Sequence, residues 1–227
     1  AFDKANGEVR WKSPGGEAGY ATAVPVTFDS ITHLLHFHGT GLALVDTVRG
    51  SILWEHPWET EYNVNAATPI VRNDTVFITS GYRMGCEWLK FSETGVEVIR
   101  NSDVISSQLS DQVLIGDYLY GYTANANNSG PFKCVSFTTG EEMWSTKKIG
   151  GGSVIFVDSL LVCFDVKGNL HLLELSPDAF TKKGELRNAI PRVGQESWTP
   201  PAVANGKLYL RYMHKLVCYD LSTNPDH

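Results

Sequence analysis

Short apolar stretches alternate with polar turns along the whole chain, and one such arrangement recurs. The phrases "ANGEVRWK" (5–12), "VRGSILWE" (48–55) and "TTGEEMWS" (138–145) each place a glycine shortly before a tryptophan, and each follows a short apolar run. A glycine between two apolar runs is typical of a tight turn that joins two strands. The pattern therefore predicts a strand, a turn and a second strand that carries the tryptophan.

A second phrase, also two apolar runs around a polar turn, occurs as "ATPIVRNDTVFITSG" (67–81), "LSDQVLIGDYLYGYT" (109–123), "GGSVIFVDSLLVCFD" (151–165) and "TPPAVANGKLYLRYM" (199–213). Together the two phrases make a unit of four short strands, and the units begin near residues 18, 64, 106, 151 and 197. A repeat of about 41 to 46 residues is typical of β-propeller blades. A sandwich or barrel of evenly spaced strands is the alternative.

The predicted fold is all-β, a β-propeller of four-stranded antiparallel blades in a single domain, residues 1–227. Its five blades cover approximately 18–58, 62–104, 105–148, 149–192 and 197–222, and residues 1–12 complete the last one. Residues 1–3 duplicate a strand that 216–220 already supply, so a closed ring, a part of a larger propeller and a ring made by two chains all stay open. Because unpaired strand edges invite pairing, we expect a homo-oligomer or an edge-to-edge association.

Composition narrows the classes of partner. The chain is 42% hydrophobic and 19% charged, with a formal net charge of −6. Lysine and arginine are scattered rather than clustered, so we expect no nucleic-acid partner. No apolar run is long enough for a transmembrane segment, and "AFDKANGEVRWK" at the start does not have the pattern of a signal peptide. As supplied, the chain is expected to be soluble.

Neither the cysteines nor any catalytic motif indicates a metal site or an active site in the sequence. Cys86, Cys134, Cys163 and Cys218 lie far apart without metal-ligand spacing, so a zinc site is not expected. Each lies in an apolar run, which favours buried free thiols over disulfides. The sequence has no GxSxG elbow, no glycine-rich phosphate loop and no HExxH motif.

The chain resembles the quinoprotein-type β-propellers built of PQQ-like repeats. The likeness rests on the turn pattern D-x-x-x-G-x-x-x-W at 3–11, on its variants ending at Trp54 and Trp144, and on "NVNAATPIV", "GPFKCVSFTTGEEMWS" and "WTPPAVANGKLYLR". In this class the glycine makes the turn and the tryptophan packs between neighbouring blades. The class occurs mostly in bacterial secreted and periplasmic proteins, so the resemblance implies a periplasmic or secreted location.

For function the resemblance leaves two alternatives, because fold alone does not determine activity. Members of the class range from PQQ-dependent alcohol and sugar dehydrogenases to scaffolds of outer-membrane protein assembly that bind no cofactor. The dehydrogenases typically place a disulfide between adjacent cysteines near the quinone, and no two cysteines are adjacent here. We therefore expect a non-catalytic binding or scaffold protein without a cofactor or a metal. A PQQ- and Ca²⁺-dependent dehydrogenase, or a fragment of one, is the alternative.

One face of the predicted propeller is the candidate binding site. It is formed by the loops from the second to the third strand of each blade (B–C loops) and from the fourth strand to the next blade (D–A loops). Aligning the repeats assigns to this face Tyr20, His38, Asn63, Asn65, Tyr82, Arg83, Gln108, Asn125, Asn127, Asp165, Trp198 and His214. This polar and aromatic set suits a protein, small-molecule or glycan ligand, although ordinary solvated loops have the same composition.

The stretch "HLLHFHGTG" (33–41) raises the question of a metal site. Side chains alternate along a strand, so His36 and His38 would share a side and His33 would face the other. A metal would then need a ligand from elsewhere, and we expect none here. The repeat alignment makes His36 an interior residue and His38 the one that contacts a ligand.

Two other residues have a chemical reading beside a structural one. Asp165 ends an apolar strand, where burial could raise its pKa and make it a catalytic base; bonding its own turn is the simpler role. Arg83 lies between two glycines and could hold a carboxylate or phosphate, or form a surface salt bridge.

Overall fold

The computed structural model describes residues 1–13, 16–123, 130–191 and 198–222, and every regular element within them is a β-strand. The strands form five antiparallel sheets, and within each sheet neighbouring strands follow chain order. Four sheets have four strands, as the repeat predicts, and the fifth has three. The predicted all-β class of four-stranded antiparallel units is confirmed.

The strands follow the two phrases of the repeat. The first sheet contains β1 (Val24–Phe28), β2 (Ile31–His38), β3 (Gly41–Asp46) and β4 (Ile52–Pro57). The second contains β5 (Ile70–Arg72), β6 (Thr75–Ser80), β7 (Gly85–Phe91) and β8 (Val96–Ser102). The third contains β9 (Val113–Ile115), β10 (Tyr118–Tyr122), β11 (Phe132–Ser136) and β12 (Glu142–Thr146). The fourth contains β13 (Gly152–Val157), β14 (Leu160–Asp165), β15 (Leu170–Glu174) and β16 (Lys182–Leu186). The fifth contains β17 (Ala202–Ala204), β18 (Lys207–Tyr212) and β19 (Lys215–Asp220).

The chain divides into two compact units, residues 1–108 and 109–227. The first unit holds the first and second sheets, and its core is a cluster that includes Phe37, Leu44 and Ile78. β3 is buried along its whole length, whereas β4 alternates between half-buried and exposed residues. The inner strands therefore supply the core, and the fourth strand forms the outer edge.

The second unit holds the other three sheets and has two apolar clusters. One cluster includes Tyr122, Phe132 and Leu161, from the third and fourth sheets. The other includes Phe164 and Leu210, from the fourth and fifth sheets. The blade limits and the single-domain organisation inferred from the repeat stay predictions.

The recurring glycine and tryptophan have the roles that the resemblance implies. Gly50 has φ of 74° and donates its N–H to the Asp46 carbonyl at 2.8 Å, which closes the turn between β3 and β4. Gly7 and Gly140 make the same bond, also at 2.8 Å. Trp54, on β4, donates its indole N–H at 2.8 Å to the carbonyl of Ser92, which lies in the turn between β7 and β8 of the second sheet. The tryptophan thus links one sheet to the next.

The fifth sheet ends at β19 within the residues that the structure describes. Near the other terminus Phe2 bridges to Val9, and the Trp11 indole donates to the Thr47 carbonyl at 2.7 Å. That residues 1–12 complete the fifth sheet stays a prediction.

The four cysteines, all among the described residues, form no disulfide, and three of them are buried as expected: Cys86, Cys134 and Cys163. For Cys218 the expectation of burial is wrong, because it lies on the edge strand β19 and is exposed. None of the described residues forms a helix that is long and apolar enough to span a membrane.

Candidate functional site

A set of loops at one end of the two sheets in the first unit brings together seven of the predicted site residues. We call this surface the loop face and define it as residues 16–23, 39–40, 58–69, 81–84 and 103–108. It carries Tyr20, Asn63, Asn65, Tyr82, Arg83 and Gln108, and His38 lies directly beneath it at the end of β2.

Asn65 ties these loops together. It is fully buried, and its side-chain amide donates to the carbonyls of His38 at 2.8 Å, Trp58 at 3.0 Å and Gly39 at 3.2 Å. Its carbonyl oxygen accepts a hydrogen bond from the Ser80 hydroxyl at 2.7 Å. Asn65 therefore joins both sheets of the unit and is not available to a ligand.

A second chain of contacts continues the same network. The Trp58 indole donates to the Ser80 hydroxyl at 3.0 Å, and the Tyr20 N–H donates to the Asn65 carbonyl at 3.0 Å. The roles of Trp58 and Ser80 were not predicted from the sequence. The available signal was weak: Trp58 lies outside the turn phrase, and Ser80 ends a strand at the repeat position of His38.

His38 is buried and belongs to the support of the loop face. It is 4% exposed, with Nδ1 at 3.2 Å from the Thr40 hydroxyl and Nε2 at 3.4 Å from Glu55 Oε1. The rings of His36 and His38 lie 5.8 Å apart, which confirms that they share one side of β2. Burial, and secondarily the charge of His38, lowers the pKa of His36.

The three histidines of this stretch do not all lie on one side of β2. His33 faces away from the other two histidines and lies 3.7 Å from Glu93 Oε1. Among the described residues no three histidine, cysteine or carboxylate side chains are grouped as metal ligands would be.

The loop face carries a pair of aromatic rings at its surface. Tyr62 and Tyr82 pack edge to face, with ring centroids 5.3 Å apart, and Tyr82 accepts a hydrogen bond from the Gln108 amide at 2.8 Å. Tyr62 is 64% exposed and Tyr20 is 75% exposed. The pair is therefore held in place on one side and open to solvent on the other.

Gly39 brings two loops into close approach. A Cβ at this position would lie 2.9 Å from Cβ of Glu17 and 3.0 Å from Cβ of Asn63. The Gly39 N–H also donates to the Glu17 carbonyl at 2.7 Å. A glycine is needed here because any side chain would push Glu17 and Asn63 away.

Arg83 is presented by a constrained turn. Tyr82 and Arg83 have φ of 57° and 64°, a left-handed conformation that side-chain-bearing residues rarely adopt. Arg83 is exposed and forms no ion pair within the part of the chain that the structure describes. The surface salt bridge that the sequence suggested for Arg83 is therefore not formed within the described residues.

The second unit contains three of the predicted residues, and Asn125 and Asn127 lie outside the described residues. Asp165 is buried and accepts hydrogen bonds from the N–H groups of Lys167 at 2.8 Å and Asn169 at 2.9 Å; His171 Nε2 lies 3.0 Å away. Burial favours a higher pKa, but the bonds from His171 and Asn169 together outweigh it and lower the pKa of Asp165. These contacts are those of a residue that closes its own turn.

Trp198 and His214 are both exposed in the second unit. Trp198 is 54% exposed and precedes β17, and His214 lies in the turn between β18 and β19. Their roles in binding stay predictions.

Comparisons with known proteins support the fold that the repeat predicts. Residues 1–146 match the family model of the outer membrane protein assembly factor BamB. Among curated proteins, no sequence matches the chain significantly.

Solved structures with the same fold include BamB from Moraxella catarrhalis, at 18% identity and a TM-score of 0.65. The alignment covers 96% of this chain and 64% of that one, so the chain spans less than two thirds of the solved BamB. The computationally designed protein Ika4 is 10% identical with a TM-score of 0.52, covering 75% of this chain and 99% of its own. The N-terminal domain of Nup159 is also 10% identical with a TM-score of 0.52, covering 85% of this chain and 58% of its own. The β-propeller prediction is thereby confirmed.

Proposed function

Because the chain belongs to the BamB family of PQQ-like repeat β-propellers, we propose that it is a non-catalytic scaffold that binds a protein partner on the loop face. BamB is an outer membrane protein assembly factor, and we propose the same process for this chain. The proposal includes a periplasmic location and no cofactor.

The pair formed by the exposed Tyr62 and the half-buried Tyr82 is the observation that carries the proposal. Tyr62 and Tyr82 offer ring surface to solvent while the bond from Gln108 fixes the hydroxyl of Tyr82. Tyrosine is enriched among the residues that dominate binding energy in protein interfaces. An aromatic ring that is already fixed loses little conformational entropy on binding. The loop face therefore has the chemistry of a protein-docking surface.

The positions of the polar residues support the same conclusion. Asn65 and His38 are buried beneath the surface, where they hold loops together. The large exposed side chains of the face include Tyr20, Tyr62 and Arg83. Large side chains on a fixed backbone suit a broad contact with a protein better than an enclosed small-molecule pocket.

Site-specific photo-crosslinking tests the proposal. A photoreactive residue is placed at Tyr62 or Arg83, with Ile31 as the control because it is 50% exposed at the opposite end of β2. The proteins are incubated with a periplasmic and membrane extract, and adducts are identified by mass spectrometry. We expect adducts with outer-membrane assembly proteins from the two loop-face positions only. Equal adducts from Ile31, or adducts only with unrelated proteins, would overturn the proposal.

Thermal unfolding with PQQ and Ca²⁺ tests the dehydrogenase alternative. A ligand that binds the native state raises its midpoint, by about 2.7 kcal/mol of added stability at a hundred times its Kd. We expect the midpoint to stay unchanged with both present. A rise that needs both compounds would favour the dehydrogenase.

A further inference from the structure

The loop face is strongly asymmetric in charge. Its segments contain four carboxylates, Glu17, Glu59, Glu61 and Asp103, and one cation, Arg83. All five side chains belong to exposed residues. Within the described residues, Glu17, Glu59 and Glu61 form no ion pair with a lysine, arginine or histidine. The surface around the tyrosines is therefore acidic.

The acids and the aromatic rings lie close together. The Tyr62 hydroxyl donates a hydrogen bond to the Glu61 carboxylate, which raises the pKa of Tyr62, and the charge of Glu61 adds to the effect. Glu17 and Asn63 flank Gly39, and the Asn63 N–H donates to the Thr60 carbonyl at 3.1 Å. The carboxylates thus lie on the same loops that present the rings.

From this arrangement we infer that the partner contacts the loop face through a cationic polypeptide segment rich in lysine and arginine; the inference rests on the proposed function. The alkyl stems of lysine and arginine can cover tyrosine rings while their charged ends reach carboxylates at the rim. A cation over a tyrosine face gains a further electrostatic attraction. Charge complementarity of this kind speeds association and excludes partners of the wrong sign.

The charges on the loop face have opposite effects on such a segment. Glu59 and Glu61 attract the segment, whereas Arg83 repels it. Removing Arg83 should therefore strengthen binding, although removing an exposed arginine from a protein interface commonly weakens it. This sign distinguishes a cationic partner from an anionic one.

Fluorescence anisotropy with labelled peptides tests the inference on the full chain. Three peptides of equal length carry lysine, serine or glutamate at every third position in a Gly-Ser background. We expect the lysine peptide to bind about tenfold or more tightly than the others, and its affinity to fall as salt shortens the Debye length from about 10 Å at 0.1 M towards 3 Å at 1 M.

Charge variants assign the binding to the loop face. The double variant Glu59→Gln/Glu61→Gln should weaken the lysine peptide by about two- to fivefold per carboxylate, and Arg83→Gln should strengthen it by a similar factor. Glu8→Gln/Glu97→Gln removes the same charge from exposed residues outside the loop face and should change nothing. Far-ultraviolet circular dichroism and a thermal melt confirm that each variant is folded.

Three results would overturn the inference: a glutamate peptide that binds as tightly as the lysine peptide, weaker binding after Arg83→Gln, or equal effects of the two double variants. Crosslinks at Tyr62 without a preference for lysine would leave the proposed function standing and remove the cationic segment. A lysine preference without those crosslinks would support the cationic segment and overturn the proposed function.

Discussion

Asn65 shows how one buried side chain can organise a surface that it never reaches. It is fully buried and makes four side-chain hydrogen bonds, three of them to carbonyls of other segments. An unsatisfied buried polar group costs about 1 to 3 kcal/mol. We predict that Asn65→Ala lowers the free energy of unfolding by about 3 kcal/mol, measured from urea titrations followed by tryptophan fluorescence.

Asn63→Gly is the matched control for Asn65→Ala. Asn63 is half-exposed and has φ of 53°, which glycine adopts without strain. The control should change the free energy of unfolding by about 0.5 kcal/mol or less. Equal losses in the two variants would show that the bonds of Asn65 carry no special weight.

The sequence located these residues but not what they do. Repeat alignment placed His38 at the loop end of its strand and Asn65 in the loop that leads to the next sheet, and the structure has both residues there. It could not show that the Asn65 amide reaches a carbonyl 27 residues away, because this depends on how far each loop folds inward. Nor could it show that Tyr82 and Arg83 form a left-handed turn in which Arg83 is exposed and Tyr82 is half-buried.

At the scale of elements, one contact links the outer strand of the first sheet to the second sheet. His56, on β4, places Nε2 2.7 Å from Glu87 Oε2 on β7, and the Asn101 amide of β8 donates to Glu87 Oε1 at 2.8 Å. Burial favours a higher pKa for Glu87, but the bonds from His56 and Asn101 and the charge of His56 together lower it below its usual value of 4.5. The ionised carboxylate is thus the form that the folded chain stabilises.

The pH dependence of this contact follows from that direction. Because the folded pKa is lowered, the stabilisation is present above the unfolded pKa and disappears as pH falls through the folded value. We predict that Glu87→Gln costs about 2 kcal/mol at pH 7 and clearly less at pH 3, measured by urea unfolding at both pH values.

Glu97→Gln is the control for this experiment, since Glu97 is exposed on the neighbouring strand β8. Its cost should be near zero at both pH values. A loss for Glu87→Gln that stays constant or grows towards pH 3 would contradict the lowered pKa.

Elements were the most predictable level of this fold. Two phrases recurring in order fix where strands begin and where turns need a glycine, because both features are local in sequence. The link between His56 and Glu87 was not predicted, since it joins two different repeats and no repeated motif contains it. Cys218 was assigned to the core because its apolar run looks like the others, and only the sheet order shows that its strand is at an edge.

For the molecule as a whole, the fifth sheet differs from the others because, within the described residues, no fourth strand pairs with its third strand. In the first sheet the third strand, β3, is buried throughout and pairs with β4 on its outer side. The corresponding strand β19 is the last of its sheet within the described residues, and Leu216 on it is 67% exposed. An exposed strand with apolar side chains is a template for pairing with another strand.

We therefore predict that the chain self-associates through β19; the sequence indicated a homo-oligomer or an edge-to-edge association without naming the strand. Sedimentation velocity in reducing buffer, which keeps Cys218 from forming intermolecular disulfides, should show a mass that rises with concentration. Leu216→Lys should shift the chain towards the 25.1 kDa monomer, because a lysine on an edge strand disfavours strand pairing. Val48→Lys, at a residue 74% exposed in a turn, makes the same chemical change away from the edge and should leave association intact. A monomer at every concentration, or an equal response of the two variants, would show that β19 does not pair.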